Sequence, residues 1–236
     1  MFRCIELPSE LFVIADVHGD FDSLVAALDL APNNALILQL GDLVDRGSFS
    51  PLCVELMLSL VEQGRAMLVA GNHDVALADV VAGKRSPTPG RAETLEQFAA
   101  YSDDLLASFV ASVRSSPLCI RAGDYAFAHA AWSPKMETEQ LWSDDLKRLA
   151  LVGERRPVDG ARRPVTSHGW IDRIPQRRCV FVGHEVRSGD APLKCENARG
   201  GTAVFLDLGC GSGGPLGCAH IRDGEITLHS VRAGSS

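Results

Sequence analysis

Three short apolar runs, each breaking off into residues that bear aspartate and glycine and in two cases histidine, constrain this chain more than anything else in its sequence. Residues 11–15 (LFVIA) run into DVHGD at 16–20, residues 35–40 (ALILQL) into GDLVDRG at 41–47, and residues 66–70 (AMLVA) into GNHD at 71–74. Compact apolar runs bounded by such turn residues predict buried strands. Between the first two, Phe21, Leu24, Val25 and Leu28 recur at helical spacing behind Asp20 and Asp22, which suit a helix N-terminus. Residues 52–60 repeat the helical pattern behind Ser50 and Pro51. Strand, helix, strand, helix, strand is the order of an α/β fold with a largely parallel first sheet. In such sheets ligand sites gather beyond the C-terminal strand ends, where all three motifs fall.

Further along, residues 75–113 are mostly helical in pattern, interrupted by KRSPTPG at 84–90, and predict a helical cap beside the site. The second half changes character. Short strand candidates at 118–121, 125–128, 179–182, 202–206, 216–221 and 226–231 predict a second, mixed sheet. GCGSGG at 209–214 has no lysine at its end and the wrong spacing for a phosphate loop, so it is read as a tight connection between strands. At 236 residues and 46% hydrophobic, one domain spanning 1–236 is expected.

The formal net charge of −7 leaves too few cations to neutralise a nucleic-acid backbone or an anionic bilayer, so no stable nucleic-acid or membrane partner is expected. No apolar run approaches the roughly 20 residues a spanning helix needs, and MFRCIELPSE lacks the apolar core of a signal peptide, so a cytoplasmic location is expected. Seven cysteines without a C-x-x-C pair fit free thiols in a reducing compartment. The stretch 147–178 departs from the acidic average, with nine basic residues against Glu154, Asp159 and Asp172. Such a stretch is either a solvated surface excursion or a means of steering an anionic substrate.

A pair of divalent ions roughly 3.5–4 Å apart needs a bridging carboxylate flanked by oxygen and imidazole donors. Asp16, His18 and Asp42 could hold one ion, and Asp42, Asn72, His129 and His184 the other. Asp16 and His18, two apart at an extended strand end, project to the same side. A lone histidine behind an apolar strand is ordinarily a core histidine. His129 in AFAHA and His184 in FVGHE are read as ligands because three ordered motifs precede them, whereas His168, His220 and His229 lack such company and are expected to be structural or on the surface. The mixed nitrogen and oxygen set fits two ions of manganese, iron, zinc or cobalt in an open catalytic geometry without choosing among them, and manganese is taken as the first expectation. His73 is expected to act as general acid, Asp45 to fix its tautomer, and Arg46 to clamp two phosphoryl oxygens. A metal-bound water or hydroxide would attack phosphorus in line.

D-x-H-G-D, G-D-x-V-D-R-G, G-N-H-D and two separated histidines together resemble the calcineurin-like metallophosphoesterases, within them the phosphoprotein phosphatases and the symmetrical dinucleoside tetraphosphatases, from about Phe12 to about Leu228. The resemblance implies a two-sheet αββα sandwich with a binuclear metal site at the strand ends. It implies Asp16, His18, Asp42, Asn72, His129 and His184 as ligands, Arg46 as phosphate clamp, and His73 with Asp45 as acid and orienter. LWSDD at 141–145 is similar to a segment of serine/threonine phosphatases, so phosphoprotein hydrolysis is the first expectation. Asp74 and the LDLGCGSGGPL segment are similar to the tetraphosphatases, which makes a dinucleoside polyphosphate such as diadenosine tetraphosphate the alternative substrate. A non-catalytic phosphate-binding scaffold comes third, since no ligand is missing. Ala70 stands where protein phosphatases often have arginine, so a second phosphate contact is expected from Arg148, Arg162 or Arg163.

Overall fold

The computed structural model describes residues 2–156, 165–232 and 234. Its first half contains β1 (Phe2–Ile5), β2 (Glu10–Ile14), α1 (Phe21–Leu30), β3 (Leu36–Gln39), α2 (Ser50–Glu62), β4 (Ala66–Leu68), α3 (Asn72–Val81), α4 (Pro89–Ala99) and α5 (Asp103–Ser115). There follow β5 (Cys119–Ala122), β6 (Tyr125–Ala128), α6 (Lys135–Thr138), α7 (Asp144–Val152), β7 (Glu154–Arg156) and β8 (Val165–Ser167). The chain finishes with β9 (Cys179–Val182), β10 (Leu193–Glu196), β11 (Thr202–Phe205), β12 (Leu216–Arg222) and β13 (Glu225–Val231).

Why residues 11–15, in and just past β2, are apolar without alternation follows from their place in the sandwich; only Glu10, at the strand start, is charged, and it pairs with His220. Leu11, Val13 and Ala15 face a second sheet and pack with Phe127, Phe181 and Val204, while Phe12 and Ile14 face the helical side with Leu24, Val54 and Met57. Both faces are dry, as in a covered parallel strand. Each such side chain contributes roughly 1.5–3 kcal/mol by leaving water. The outer face of the second sheet is covered in turn: Val180, Val182 and Phe205 meet Trp132, Met136, Trp142 and Leu146 around α6 and α7. Helices, sheet, sheet, helices is the αββα sandwich of the sequence expectation.

The first sheet runs β13-β12-β2-β3-β4 and the second β1-β5-β6-β9-β11-β10, with β7 and β8 forming a separate two-stranded ribbon. β2, β3 and β4 are parallel, as the βαβ pattern requires. Their other neighbour differs from expectation. Segments 216–221 and 226–231 join the first sheet, antiparallel, rather than the second, with Ala219 opposite Val13. A two-residue Asp223-Gly224 turn with both residues at positive φ closes this hairpin, and tertiary packing alone decides which sheet receives it. The second sheet is mixed: β6, β9 and β11 are parallel, β5 is antiparallel to β6 but parallel to β1, and β10 is antiparallel to β11. It gains β1 and β10, both half-exposed four-residue edge strands without an apolar run to betray them.

The capping signals act as expected: the Asp20 side chain accepts from the Ser23 N–H at 3.1 Å and starts α1. LWSDD turns out to start a helix. Ser143 accepts from the Leu146 N–H at 3.2 Å and Trp142 is buried in the outer core, so the segment anchors α7. Within 147–178, Ala150, Trp170 and Ile174 are buried, so part of that basic stretch is core. Arg162 and Arg163 lie outside the described residues. All seven cysteines are free thiols; five are buried, Cys195 is half-buried and Cys4 is exposed. Among the described residues no helix is long and apolar enough to cross a membrane.

Candidate metal centre

Every predicted ligand stands just past a strand or at a helix start on one edge of the sandwich. Asp16 and His18 follow β2, Asp42 follows β3, Asn72 opens α3 behind β4, His129 follows β6 and His184 follows β9. Backbone bonds stitch these loops together: the Val17 and His18 N–H groups donate to the Asp42 carbonyl, and the Gly183 N–H donates to the His129 carbonyl at 2.8 Å. The two sheets are joined here by side chains as well. His129 Nδ1 donates to the Leu40 carbonyl at 2.9 Å, and the Asp16 carboxylate accepts from the His184 N–H at 2.9 Å.

Fixing Nδ1 fixes which nitrogen is left over. His18 Nδ1 lies 2.9 Å from the Val44 carbonyl, so Nε2 presents its lone pair. That Nε2 is buried without a hydrogen-bond partner, 3.9 Å from the Asp16 carboxylate and 3.7 Å from that of Asp42. An orphaned imidazole lone pair between two carboxylates is what a divalent cation would satisfy. On the other side of Asp42, its carboxylate is 3.4 Å from His129 Nε2, and the Asn72 amide oxygen is 2.9 Å from the same nitrogen. That oxygen also faces His184 Nδ1 at 2.8 Å; only by turning over would the amide hydrogen-bond both rings. Converging acceptors fit a cation. Asp42, His129 and His184 offer ligand atoms within 4.8 Å of one another, as do His18, Asp42 and His73, with Asp42 common to both groups.

The electrostatics record the same crowding. Burial pushes His18 down to about 4 and, with His129 nearby, His184 down to about 3, so both rings are neutral at pH 7. Burial would also lower His129, but the Asp42 and Asp16 carboxylates override it and push the ring up to about 10. Burial and then Asp207 raise Asp16 well above the carboxylate range; Asp42 is lowered despite burial, because His129, His73 and His18 surround it.

Backbone strain is concentrated in the same place. Among the described residues seven non-glycines have positive φ, and five of them are His18 (50°), Asp42 (56°), Asp45 (71°), Arg46 (68°) and His184 (65°). Each costs on the order of 1–2 kcal/mol, which the surrounding packing must offset.

The structure also brings the expected acid and clamp to this edge. His73 Nδ1 is 2.6 Å from the Asp45 carboxylate, whose other oxygen accepts from the Thr94 hydroxyl at 2.7 Å. Arg91 adds an ion pair to Asp45 at 3.1 Å. Burial would raise Asp45, yet His73, Thr94 and Arg91 hold it below its ordinary value. With Nδ1 committed to Asp45, His73 is better placed to present Nε2 than to ligate through Nδ1. Its ring lies edge-on to His18 with centroids 4.8 Å apart. Arg46 is exposed and makes no side-chain hydrogen bond or ion pair among the described residues. Of the three remaining histidines, His168 pairs with Glu185, the residue after His184, while His220 pairs with Glu10 and His229 packs near Phe12.

Four contributors escaped sequence reasoning. Asp74 is buried and accepts from the Asp42, Leu43 and Gly71 N–H groups, which clamps the GD loop against α3. Asp207, buried two residues past β11, repeats the acid-after-apolar-run signal of Asp16 and could have been found by it. Thr94 and Arg91 reach Asp45 from α4 across 49 and 46 residues and carry no local signal. Beside Asn72 opens a cleft of about 390 Å³ lined by Arg85, Arg91, Lys147, Arg148 and apolar residues of α3 and α7.

Fold and site together define a metal-dependent phosphoric ester hydrolase. The profile of the calcineurin-like phosphoesterases matches residues 10–188, and the chain belongs to that family. Among curated relatives, a symmetrical bis(5'-nucleosyl)-tetraphosphatase of Ralstonia nicotianae is 34% identical over 143 residues, 60% of this chain and 47% of that protein. Serine/threonine-protein phosphatase 1 of Salmonella typhimurium is 28% identical over 185 residues, 71% of this chain and 80% of that one. A crystal structure provisionally described as a diadenosine tetraphosphatase superposes over 99% of both chains with a TM-score of 0.67 at 20% identity, which bears on the fold.

Proposed function

We propose that the protein hydrolyses dinucleoside polyphosphates, diadenosine tetraphosphate foremost, at a two-metal centre. The observation that carries the chemistry is the sharing of Asp42 between two donor sets, with His73, Asp45 and Arg46 at the same edge. Asp16, His18 and Asp42 would hold one ion, and Asp42, Asn72, His129 and His184 the other. Two divalent ions, manganese first, would supply Lewis acidity toward a phosphoryl oxygen and an acidified water. The protein does the rest. Arg46 presents a planar fork to the phosphoryl oxygens, and its charge offsets the charge that develops on them. Asp45 holds Nδ1 of His73 and directs Nε2 to the leaving-group oxygen, which takes up the proton.

The substrate class rests on the name of the Ralstonia relative and on the basic cleft next to Asn72, which suits an extended anion better than a single phosphate. Phosphoprotein hydrolysis, the first expectation from sequence, is the second reading and is favoured by the Salmonella relative. Parallel kcat/KM measurements with Mn²⁺ on diadenosine tetraphosphate, a phosphopeptide and p-nitrophenyl phosphate decide between them. Preference for the phosphopeptide would reverse the order; no turnover of any of the three would leave the scaffold reading.

A further inference from the structure

We propose that the cleft beside Asn72 is the subsite for the leaving half of the substrate, a nucleoside diphosphate whose phosphates are held by Arg85, Arg91 and Arg148. This rests on the dinucleoside polyphosphate reading above. At about 390 Å³ the cleft has the size of pockets that enclose small ligands. Four cations line it against one carboxylate, Asp144, which already pairs with Lys147 at 3.0 Å. Arg148 stands exposed on α7 without a side-chain hydrogen bond or ion pair among the described residues, and Arg85 is only 3.9 Å from its one acidic neighbour, Asp79. Arg91 is buried, bonds Asp45 through one terminal nitrogen, and keeps a buried Nε with no partner. A buried guanidinium with an unused donor beside a cationic cleft is arranged for an anion that arrives from outside. Val75 and Leu151 give the same cleft apolar wall for a nucleoside.

Its position relative to the acid assigns the half. Asn72, Val75 and Ala76 of the lining belong to the helix that carries His73, and Arg91 of the lining bonds the carboxylate that orients His73. The group held in the cleft is therefore next to the residue that protonates a leaving oxygen. On hydrolysis a water adds its oxygen to the phosphorus of the other half and releases a proton, the bond between that phosphorus and the bridging oxygen breaks, and the bridging oxygen leaves with the diphosphate in the cleft, taking the His73 proton. Arg91 would also tie occupancy of the cleft to the setting of Asp45.

The test pairs Arg85→Ala with Arg148→Ala in the full chain with Mn²⁺, beside the Arg85→Lys, Arg148→Lys pair. In the alanine pair the ratio of kcat/KM on diadenosine tetraphosphate to that on p-nitrophenyl phosphate should fall about tenfold or more, ADP binding by calorimetry should weaken to a similar degree, and lysines should restore much of both. An unchanged ratio with unchanged ADP affinity overturns the subsite. A parent enzyme that turns over p-nitrophenyl phosphate but leaves diadenosine tetraphosphate intact overturns the substrate reading instead. The ADP titration then judges the cleft separately: weakened binding in the alanine pair supports a diphosphate site, and unchanged binding overturns it.

Discussion

Gly211 and Gly213 offer a controlled measurement of how tightly the glycine-rich turn is fitted to the metal centre. Gly211 has φ +73°, and a Cβ built there would sit 2.5 Å from both the Cβ and the carbonyl oxygen of His18. Gly213 has φ +90°, and its Cβ would meet nothing within 4 Å. Alanine at either position is forced into left-handed backbone, at roughly 1–2 kcal/mol. Only at Gly211 does overpacking add roughly 1–3 kcal/mol. Urea unfolding of the metal-stripped chain should therefore show losses of roughly 1–2 kcal/mol for Gly213→Ala and roughly 2–5 kcal/mol for Gly211→Ala. Because the His18 ring is tied to the Val44 carbonyl, moving its main chain moves Nε2 as well. Calorimetric titration with Mn²⁺ should show affinity reduced about tenfold or more in Gly211→Ala, as when the support of a ligand is removed, and retained in Gly213→Ala. Equal destabilisation of the two variants, or parental metal affinity in Gly211→Ala, would refute the reasoning.

Asp42→Asn takes the shared carboxylate from both donor sets; metal analysis should find depleted ions and p-nitrophenyl phosphate turnover should drop at least about a hundredfold in a chain that circular dichroism shows folded. Metal uptake should release protons at neutral pH. His129, pushed up to about 10 by Asp42 and Asp16, must give up its proton to ligate, so affinity should rise with pH below 10 and weaken on acidification, whereas neutral His18 and His184 add nothing to that slope at pH 7. A pH-independent affinity between pH 6 and 8, buffer ionisation being accounted for, would remove that assignment. Asp45→Asn should slow phenyl phosphate by about 10- to 100-fold more than p-nitrophenyl phosphate, whose leaving group needs little protonation; equal losses would strip His73 of its acid role.

Much of the edge was legible because its signals are local. An apolar run long enough for one buried strand, followed directly or after one glycine by a carboxylate, amide or histidine, places a candidate ligand at a strand end whatever the rest of the chain does, and Asp16, Asp42, Asn72, His129 and His184 all follow that rule. Helix starts at Asp20 and Ser50 were legible for the same reason. The destination of β12 and β13 was not, since a half-buried hairpin has the same pattern in either sheet. Nor were β1 and β10, whose edge positions leave them with little apolar character.

By itself the sequence determined the parallel unit of β2, β3 and β4 with its two connecting helices, and the donor types that follow its strands. Those depend on residue type and on spacings of a few residues. Tertiary structure alone decided that His129 and His184 of one sheet meet Asp42 and Asn72 of the other, that Asp74 clamps the GD loop, and that α4 and α7 bring Arg91 and Arg148 to one cleft. The physical reason is range: these contacts join segments tens of residues apart, and only the packing of two sheets and their covering helices brings them within hydrogen-bonding distance.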